Sequence, residues 1–182
     1  MTIQQTILNR RTTHDFLPGK VPQDDILESV KAANFAPCHR LTFPWRFINI
    51  SDNTRNLIIN ILLDIKSCNS LLTNDQREKI ISKSLIPSNL IIVYQVLHGN
   101  DHQKKEDYAA CACAIQNMMI SLTGFGIGSK WSTGHITRDK RVYELLDLDQ
   151  DKSEIIGFIW IGYGGTTPSI KRPLLNEVYK EI

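Results

Sequence analysis

The most constraining feature of this 182-residue sequence is the stretch 106–125, which has helical spacing and is apolar on nearly all of its circumference. Alanines separate most of its large apolar residues, and Gly124, Gly126 and Gly128 end it. A helix that is apolar all round has to be covered on every side. The sequence therefore predicts that this helix lies either at the centre of the domain or in a dimer interface.

Two nearly continuous apolar runs, residues 89–97 and 155–162, are typical of strands that are buried on both faces. Shorter strands are predicted at 46–50 and 129–132 from their content of β-formers. Capping signals and helical spacing predict the remaining elements, which are helices near 2–10, 22–37, 53–67, 75–84 and 139–146, a loop at 98–105 and a tail from 166. Because strands and helices do not alternate regularly, we expect one α+β domain over residues 1–182.

Composition excludes several classes of function. The net charge is only +2, so nothing global indicates nucleic acid as a partner. No secretory signal is visible at the start, and no apolar stretch is long and unbroken enough for a membrane span. None of the cysteines (Cys38, Cys68, Cys111 and Cys113) forms a C-x-x-C pair. We therefore expect reduced thiols in a cytoplasmic protein.

Two short basic clusters lie near the ends of the chain. Arg10, Arg11 and Thr12 follow the first predicted helix, and Lys171 and Arg172 stand in the tail. Arginine offers a planar bidentate fork and threonine adds a neutral donor, which together suit a phosphate. Each cluster alone could also be a solvated helix end or a charged tail.

Two further segments have the composition of a ligand-contacting loop. Phe35-Ala36-Pro37-Cys38-His39 opens a loop after the second helix, and Pro-Trp-Arg-Phe closes it at 44–47. The Gly-rich stretch 128–134 contains Trp131, Ser132 and Thr133, where backbone can approach a flat ligand closely. Alone, the second segment could equally be a Gly-rich connection with a tryptophan in the core.

Taken together, the four segments and their order resemble the FMN-dependent nitroreductase family over almost the whole chain, least in 66–88. The resemblance implies an α+β sandwich with a mostly antiparallel sheet, flanked by helices and built as an intertwined homodimer with two FMN sites at the interface. The family's phosphate and ribityl contacts carry over to Arg10, Thr12 and Arg172, and more weakly to Arg11 and Lys171. Its contacts with the flavin ring carry over to a separate set, Trp131, Ser132 and Thr133.

In the family, the loop that corresponds to Phe35, Pro37, Cys38 and His39 contacts FMN bound mainly to the partner subunit. Cys38 is a departure, because the family usually has serine there and a small subgroup has Ala-Pro-Asp-His. We expect Cys38 to be a buried small hydrophobe and His39 to be the cofactor contact. Glu106 lies where many relatives carry an acidic residue and is a weak further candidate.

The resemblance implies a ping-pong oxidoreductase in which NADPH or NADH reduces FMN and the reduced flavin then reduces a nitroaromatic, a quinone or a similar planar electrophile. No protein acid or base is then needed as a catalytic residue. A Cys38–His39 nucleophilic pair lacks an orienting acid, and a zinc site from Cys111, Cys113, His98 and His102 lacks standard spacing, so no metal is expected. Two alternatives stay open: other flavin chemistry on the same fold, such as dehalogenation or flavin breakdown, and a non-catalytic FMN-binding protein.

Overall fold

The computed structural model describes residues 2–68, 70–165 and 169–182. Its helices are α1 (Ile3–Asn9), α2 (Gln23–Asn34), α3 (Asp52–Ser67), α4 (Asn74–Leu85), α5 (Asp101–Gly124), α6 (Lys140–Leu145) and α7 (Leu175–Val178). Its strands are β1 (Phe16–Leu17), β2 (Trp45–Asn49), β3 (Asn89–Val96), β4 (Gly128–Ser132) and β5 (Ser153–Gly164). Short 3₁₀ turns occupy His39–Leu41 and His135–Arg138.

The strands form one sheet in the order β1-β5-β3-β2, and β4 also pairs with β5. Every strand pairing is antiparallel. The long strand β5 is therefore the centre of the sheet, because it pairs with β1, β3 and β4. This arrangement confirms the predicted α+β fold with a mostly antiparallel sheet flanked by helices.

Both faces of the sheet are covered, which explains why β3 and β5 read as continuous apolar runs. Successive side chains of a strand point to opposite faces. Ile91 and Ile159 face α2 and α5, where they pack with Met118 and Leu122 of α5. The other face contacts α3 and α6 and has its own cluster, which includes Ile58, Leu90, Ile92, Tyr143 and Phe158.

The long helix α5 runs through the core on one side and reaches the surface on the other. Residues such as Ala114, Ile115 and Met118 are fully buried, whereas Ala109, Cys113 and Gln116 are exposed. The prediction of a buried helix is thus confirmed for most of its circumference. Its small outward side chains leave a stripe on which another chain could pack.

The start of α5 corrects the sequence prediction. The segment 98–105 was predicted to be a loop, but the helix begins at Asp101 and is capped by the Asn100 side chain, which accepts a hydrogen bond from the Gln103 N–H. The loop ends at Asn100 because its side chain caps the helix, and the polar residues that follow form the first turns of α5. Inside these turns, Gln103 and Asp107 are buried and bond to each other.

Two short elements were not predicted at all. The two-residue strand β1 adds to the end of β5, where Phe16 is paired with Gly164 and Leu17 with Tyr163. Helix α7 lies within the predicted tail, whose first residues, 166–168, are outside the described residues. In the part of the chain that the structure describes, no helix has the length and apolar character needed to cross a membrane.

Candidate functional site

A cavity of about 700 Å³ lies between the sheet and helices α3 and α4. This is the size of a pocket that holds a drug-sized ligand or cofactor. The half-buried Phe16 lines the sheet side of the cavity together with Phe158 and Trp160, which are 1% and 9% exposed, and Leu72 and Ile80 add aliphatic surface. A flat ring system could therefore be enclosed between these walls.

Among the described residues, the charged side chains that line the cavity are all basic. Lys66 comes from α3, Lys79 and Lys83 from α4, and Lys130 from β4, and none of the aspartates or glutamates in that part of the chain lines it. Burial lowers the pKa of Lys130, and repulsion from Lys83 and Lys66 lowers it further. The cavity thus has a positive potential that favours an anionic or electron-rich ligand.

The end of β4 supplies hydroxyl groups to the cavity through Ser132 and Thr133. Ser132 Oγ accepts a hydrogen bond from Trp160 Nε1 at 2.9 Å, which fixes its position on the wall. Gly134 follows with a φ of 115°, a conformation that side chains rarely tolerate, and turns the chain away from the sheet. The predicted contact residues Ser132 and Thr133 therefore face the cavity.

Trp131 points in the opposite direction. Its indole Nε1 donates to the Ile156 carbonyl at 3.2 Å, and its ring packs against the core on the α5 side of the sheet. Because residues alternate across a strand, Trp131 cannot share a face with Lys130 and Ser132. The structure does not bring Trp131 into the cavity with Ser132 and Thr133.

The two basic clusters at the ends of the chain lie close together in space. Arg10 is half-buried directly after α1, and its pKa is lowered by burial and by the nearby charges of Arg172 and Arg11. Arg11 Nη1 donates to the carbonyls of Leu8 and Arg10 at 2.6 and 2.8 Å. Two segments more than 150 residues apart in the sequence thus form one basic surface, with Lys171 exposed beside Arg172.

The segment from Arg10 to His14 connects this basic surface with the cavity. Thr12 forms a bridge with Ser129 of β4, the Thr13 N–H donates to the Ser129 carbonyl at 3.0 Å, and His14 lines the cavity. A five-residue run spans at most about 14 Å between its end Cα atoms. The basic surface and the cavity therefore lie within one ligand's length of each other.

The loop that holds Phe35, Pro37, Cys38 and His39 lies outside the cavity of its own chain. Phe35 is 86% exposed, whereas Cys38 is half-buried and packs against the core. The Cys38 sulfur also accepts a hydrogen bond from the Phe43 N–H at 3.2 Å and lies 3.3 Å from Thr42 Oγ1. Cys38 therefore organises the loop through its polar contacts as well as through its packing.

Helix α5 holds this loop in a defined shape. Thr42 Oγ1 donates to Asp107 Oδ1 at 2.6 Å, and Gln103 Nε2 donates to the same oxygen at 2.9 Å. Arg40, Leu41 and Phe43 have φ values of 58°, 54° and 44°, in the left-handed region that is costly for residues other than glycine. Such backbone persists only where the surroundings fix it.

Glu106 belongs to the same surface as the loop. Its Oε1 lies 3.3 Å from His102 Nε2 and 3.8 Å from His39 Nε2.

The Cys111 thiol is buried, and burial, followed by the charge of Asp107, raises its pKa to about 12. That thiol is therefore inert as a nucleophile at neutral pH. Within the described ranges, no group of three or more His, Cys, Asp or Glu could hold a metal ion.

Sequence reasoning missed His14 and the four lysines of the cavity. Lys79 and Lys83 are four residues apart, so the spacing alone places them on one side of a helix. Nothing in the sequence shows that this side faces Lys66 and Lys130, because that proximity depends on how α3 and α4 pack on the sheet.

Comparison with known proteins agrees with this geometry. The model of the nitroreductase family matches residues 7–163. YfhC of Bacillus subtilis, which has a provisional NAD(P)H nitroreductase name, is 31% identical over 93% of this chain and 88% of its own length. The crystal structure of a nitroreductase-like family protein from Bacillus cereus superposes with a TM-score of 0.84 at 25% identity, covering 100% of this chain and 96% of that one.

A second structural neighbour was solved with a ligand. It is a provisionally named nitroreductase from Desulfovibrio desulfuricans in complex with FMN, with a TM-score of 0.78 and 20% identity, covering 100% of this chain and 97% of that one. At 20% identity, this structural similarity shows a shared fold. The family match over most of the chain and the relative from Bacillus subtilis together establish that this protein belongs to the nitroreductase family.

Proposed function

We propose that the protein is an FMN-dependent NAD(P)H oxidoreductase that reduces planar electrophiles such as nitroaromatics and quinones in a ping-pong cycle. The observation that carries this proposal is the continuity between the Arg10–Arg172 surface and the aromatic-walled cavity through residues 10–14. A ligand with a phosphate at one end and a flat ring at the other matches both ends of this path. FMN has that shape, and the Desulfovibrio desulfuricans neighbour carries it.

The residues present fit this cofactor. Arg10 and Arg172, supported by Arg11, Lys171 and the Thr12 hydroxyl, would hold the phosphate by charge-assisted hydrogen bonds. Ser132 and Thr133 would lie beside the ring, in a cavity whose walls are partly apolar. FMN would supply the capacity to accept and donate a hydride, so the protein's task is to bind and orient the reactants.

Positive charge in the cavity supports electron transfer to a flat ring. His14 and Lys83 both line the cavity, and Lys83 also lies 3.4 Å from Asp15 next to His14. A cation in a partly enclosed site stabilises negative charge that develops on a nearby ligand. In this proposal the hydride step needs no acid–base dyad of the protein.

We propose further that the working unit is a homodimer in which the loop of one chain completes the site of the other. The described residues leave several large apolar side chains exposed near the loop and on α1, among them Ile3, Leu8, Phe35, Leu41 and Phe43. Clusters of this kind are typical of protein–protein interfaces. The loop is rigidly held yet lies outside its own cavity, so Phe35, Pro37, Cys38 and His39 would contact cofactor in the partner.

Visible spectroscopy of purified protein tests the proposal. We expect FMN to bind, with the flavin absorbance bleaching under anaerobic NADPH or NADH and returning when a nitroaromatic or a quinone is added. A flavin that binds but is bleached by neither nucleotide would support a non-catalytic FMN-binding protein. Failure to bind supplied FMN would refute the proposal as a whole.

Substitution of the arginines tests the phosphate assignment separately. Arg10→Ala and Arg172→Ala should each weaken FMN binding by about tenfold or more, because each removes a charge-assisted contact of about 1.5–3 kcal/mol. Arg138→Ala is the matched control, since Arg138 is exposed and outside both the cavity and the basic surface. Unchanged flavin occupancy in both test variants would show that the phosphate binds elsewhere.

A further inference from the structure

The cavity contains more positive charge than the proposed cofactor requires. The phosphate is assigned to Arg10 and Arg172, which do not line the cavity. One cation near the ring would be sufficient to stabilise negative charge on a reduced flavin, and Lys83, which lines the cavity, would fill that role. Lys66 and Lys79, on the helical wall, are left without a function.

These lysines are not explained by the stability of the fold. Lys83 has Asp15 within 3.4 Å, but among the described residues the side chains of Lys66, Lys79 and Lys130 have no carboxylate within ion-pair distance. They lie around one cavity, so their like charges repel each other. Burial, followed by repulsion from Lys83 and Lys66, lowers the pKa of Lys130. An anion bound among them would relieve this repulsion.

The remaining walls define the shape of that anion. The half-buried Phe16 lines the sheet side, with smaller contributions from the buried Phe158 and Trp160, and Leu72 and Ile80 line the cavity as well. Such walls favour a planar ring by apolar burial and stacking, while the lysine ammonium groups favour one end that is charged.

We propose that the electron acceptor is a planar aromatic compound with an anionic substituent, such as a carboxylate or a phenolate, which Lys66 and Lys79 select. This inference rests on the proposed function and specifies its acceptor. For a nitrobenzoate, the net reaction takes a hydride from NAD(P)H and one proton from solvent, and it breaks one N–O bond. The oxygen leaves as water, the nitro group becomes a nitroso group, and the nicotinamide is oxidised.

A pair of nearly isosteric acceptors tests the proposal. 4-Nitrobenzoate carries one negative charge, and 4-nitrobenzamide is neutral with a similar shape. We expect the wild-type protein to have the higher kcat/KM for the benzoate, and we expect this preference to fall with added salt because exposed charges are screened. Lys66→Gln and Lys79→Gln should each reduce the preference about two- to fivefold, and the double variant roughly tenfold.

Two controls separate charge selection from other effects. Arg77→Gln removes the same charge from α4 at a position that does not line the cavity, and it should leave the preference unchanged. The kcat/KM for both acceptors and the FMN content should stay near wild-type values in Arg77→Gln. In the lysine variants the measured quantity is the ratio of the kcat/KM values for the two acceptors, corrected for the FMN content of each variant.

The outcomes distinguish this inference from the proposed function. If nicotinamide fails to bleach the flavin, the proposed function is wrong. If the flavin is bleached and 4-nitrobenzamide is reduced, but the benzoate is not preferred or its preference survives in the double variant, only the acceptor inference is wrong. Lysine substitutions that raise KM for NADPH and leave the acceptor preference intact would also overturn it, because the lysines would then serve the donor.

Discussion

Replacement of Thr42 by valine tests how the loop is fixed. The Thr42 hydroxyl donates to Asp107 Oδ1 at 2.6 Å, and Asp107 is only 1% exposed. Within the described part of the chain, Asp107 Oδ2 has no hydrogen-bond partner, so this carboxylate depends on the two donors Thr42 and Gln103. Valine has nearly the shape of threonine, and the substitution therefore removes the hydrogen bond without creating a cavity.

The expected loss is large for so small a change. A hydrogen bond to a charged group contributes about 1.5–3 kcal/mol, and a buried carboxylate that loses a donor keeps its desolvation cost. We therefore expect Thr42→Val to lower the free energy of unfolding by about 2 kcal/mol. Thr123→Val is the matched control, because the Thr123 hydroxyl donates to the Met119 carbonyl within α5, and a bond of this kind does not stabilise a helix.

Urea denaturation at several protein concentrations measures these free energies and reveals any contribution from association. Limited trypsin digestion supplies a local measurement, since Arg40 lies in the loop and is exposed. We expect faster cleavage after Arg40 in Thr42→Val and unchanged cleavage in Thr123→Val. Equal losses of stability in the two variants, or a loss below about 0.5 kcal/mol for Thr42→Val, would refute the argument that Asp107 anchors the loop.

Three further predictions concern other parts of the chain. Gly128→Ala should cost about 1–3 kcal/mol in urea denaturation, because its Cβ would collide with the Thr13 side chain and lie 3.1 Å from the Gly162 carbonyl; Gly124→Ala, which meets nothing within 4 Å, should not destabilise the protein. Thiol labelling followed by mass spectrometry at pH 8 should modify exposed Cys68 quickly and Cys111, with its pKa of about 12, only after unfolding; labelling of Cys111 in the native protein would contradict its burial. Asp139 caps α6 and bonds to Arg141, which lowers the pKa of its carboxyl, so this stabilisation is present above the unfolded pKa of about 4 and is lost as pH falls through the folded pKa; Asp139→Asn should therefore cost about 1 kcal/mol at pH 7 and nothing once both pKa values have been passed, and a loss that is independent of pH would disprove the assignment.

The sequence predicted most of the fold because local patterns decide most of it. The apolar runs of β3 and β5 identify strands covered on both faces, and helical spacing identifies α2, α3 and α5. The predictions that were wrong are those in which two local signals compete. Residues 101–105 are polar like a loop, yet Asn100 caps a helix there. The short strand β1 has no pattern of its own and forms because the end of β5 offers unpaired backbone groups.

The site was predictable only where it consists of short motifs. Arg10 and Arg172 lie close enough for their charges to interact, and Ser132 and Thr133 line the cavity, while the cofactor contacts assigned to them stay predictions. Trp131 differs from these neighbours because alternation along β4 places it on the α5 side of the sheet. The cavity lysines are beyond sequence reasoning for another reason. The positive charge in the cavity arises because lysines from α3, α4 and β4 lie close together, and the sequence of each element does not show this proximity.

The strained backbone of the loop has to be explained together with the position of the cavity. Arg40, Leu41 and Phe43 have strained backbone, and the buried carboxylate of Asp107 holds the loop through Thr42. None of the described residues of this loop lines the cavity of its own chain. Strain of this kind is usually retained where it serves a site. In the proposed homodimer the loop of each chain reaches the cofactor of the other, so the same strain positions the cofactor contacts of both sites. Loosening the loop through Thr42 should then weaken FMN binding although Thr42 lies outside the cavity, and a mixed dimer with one Thr42→Val chain should lose affinity at only one of its two sites.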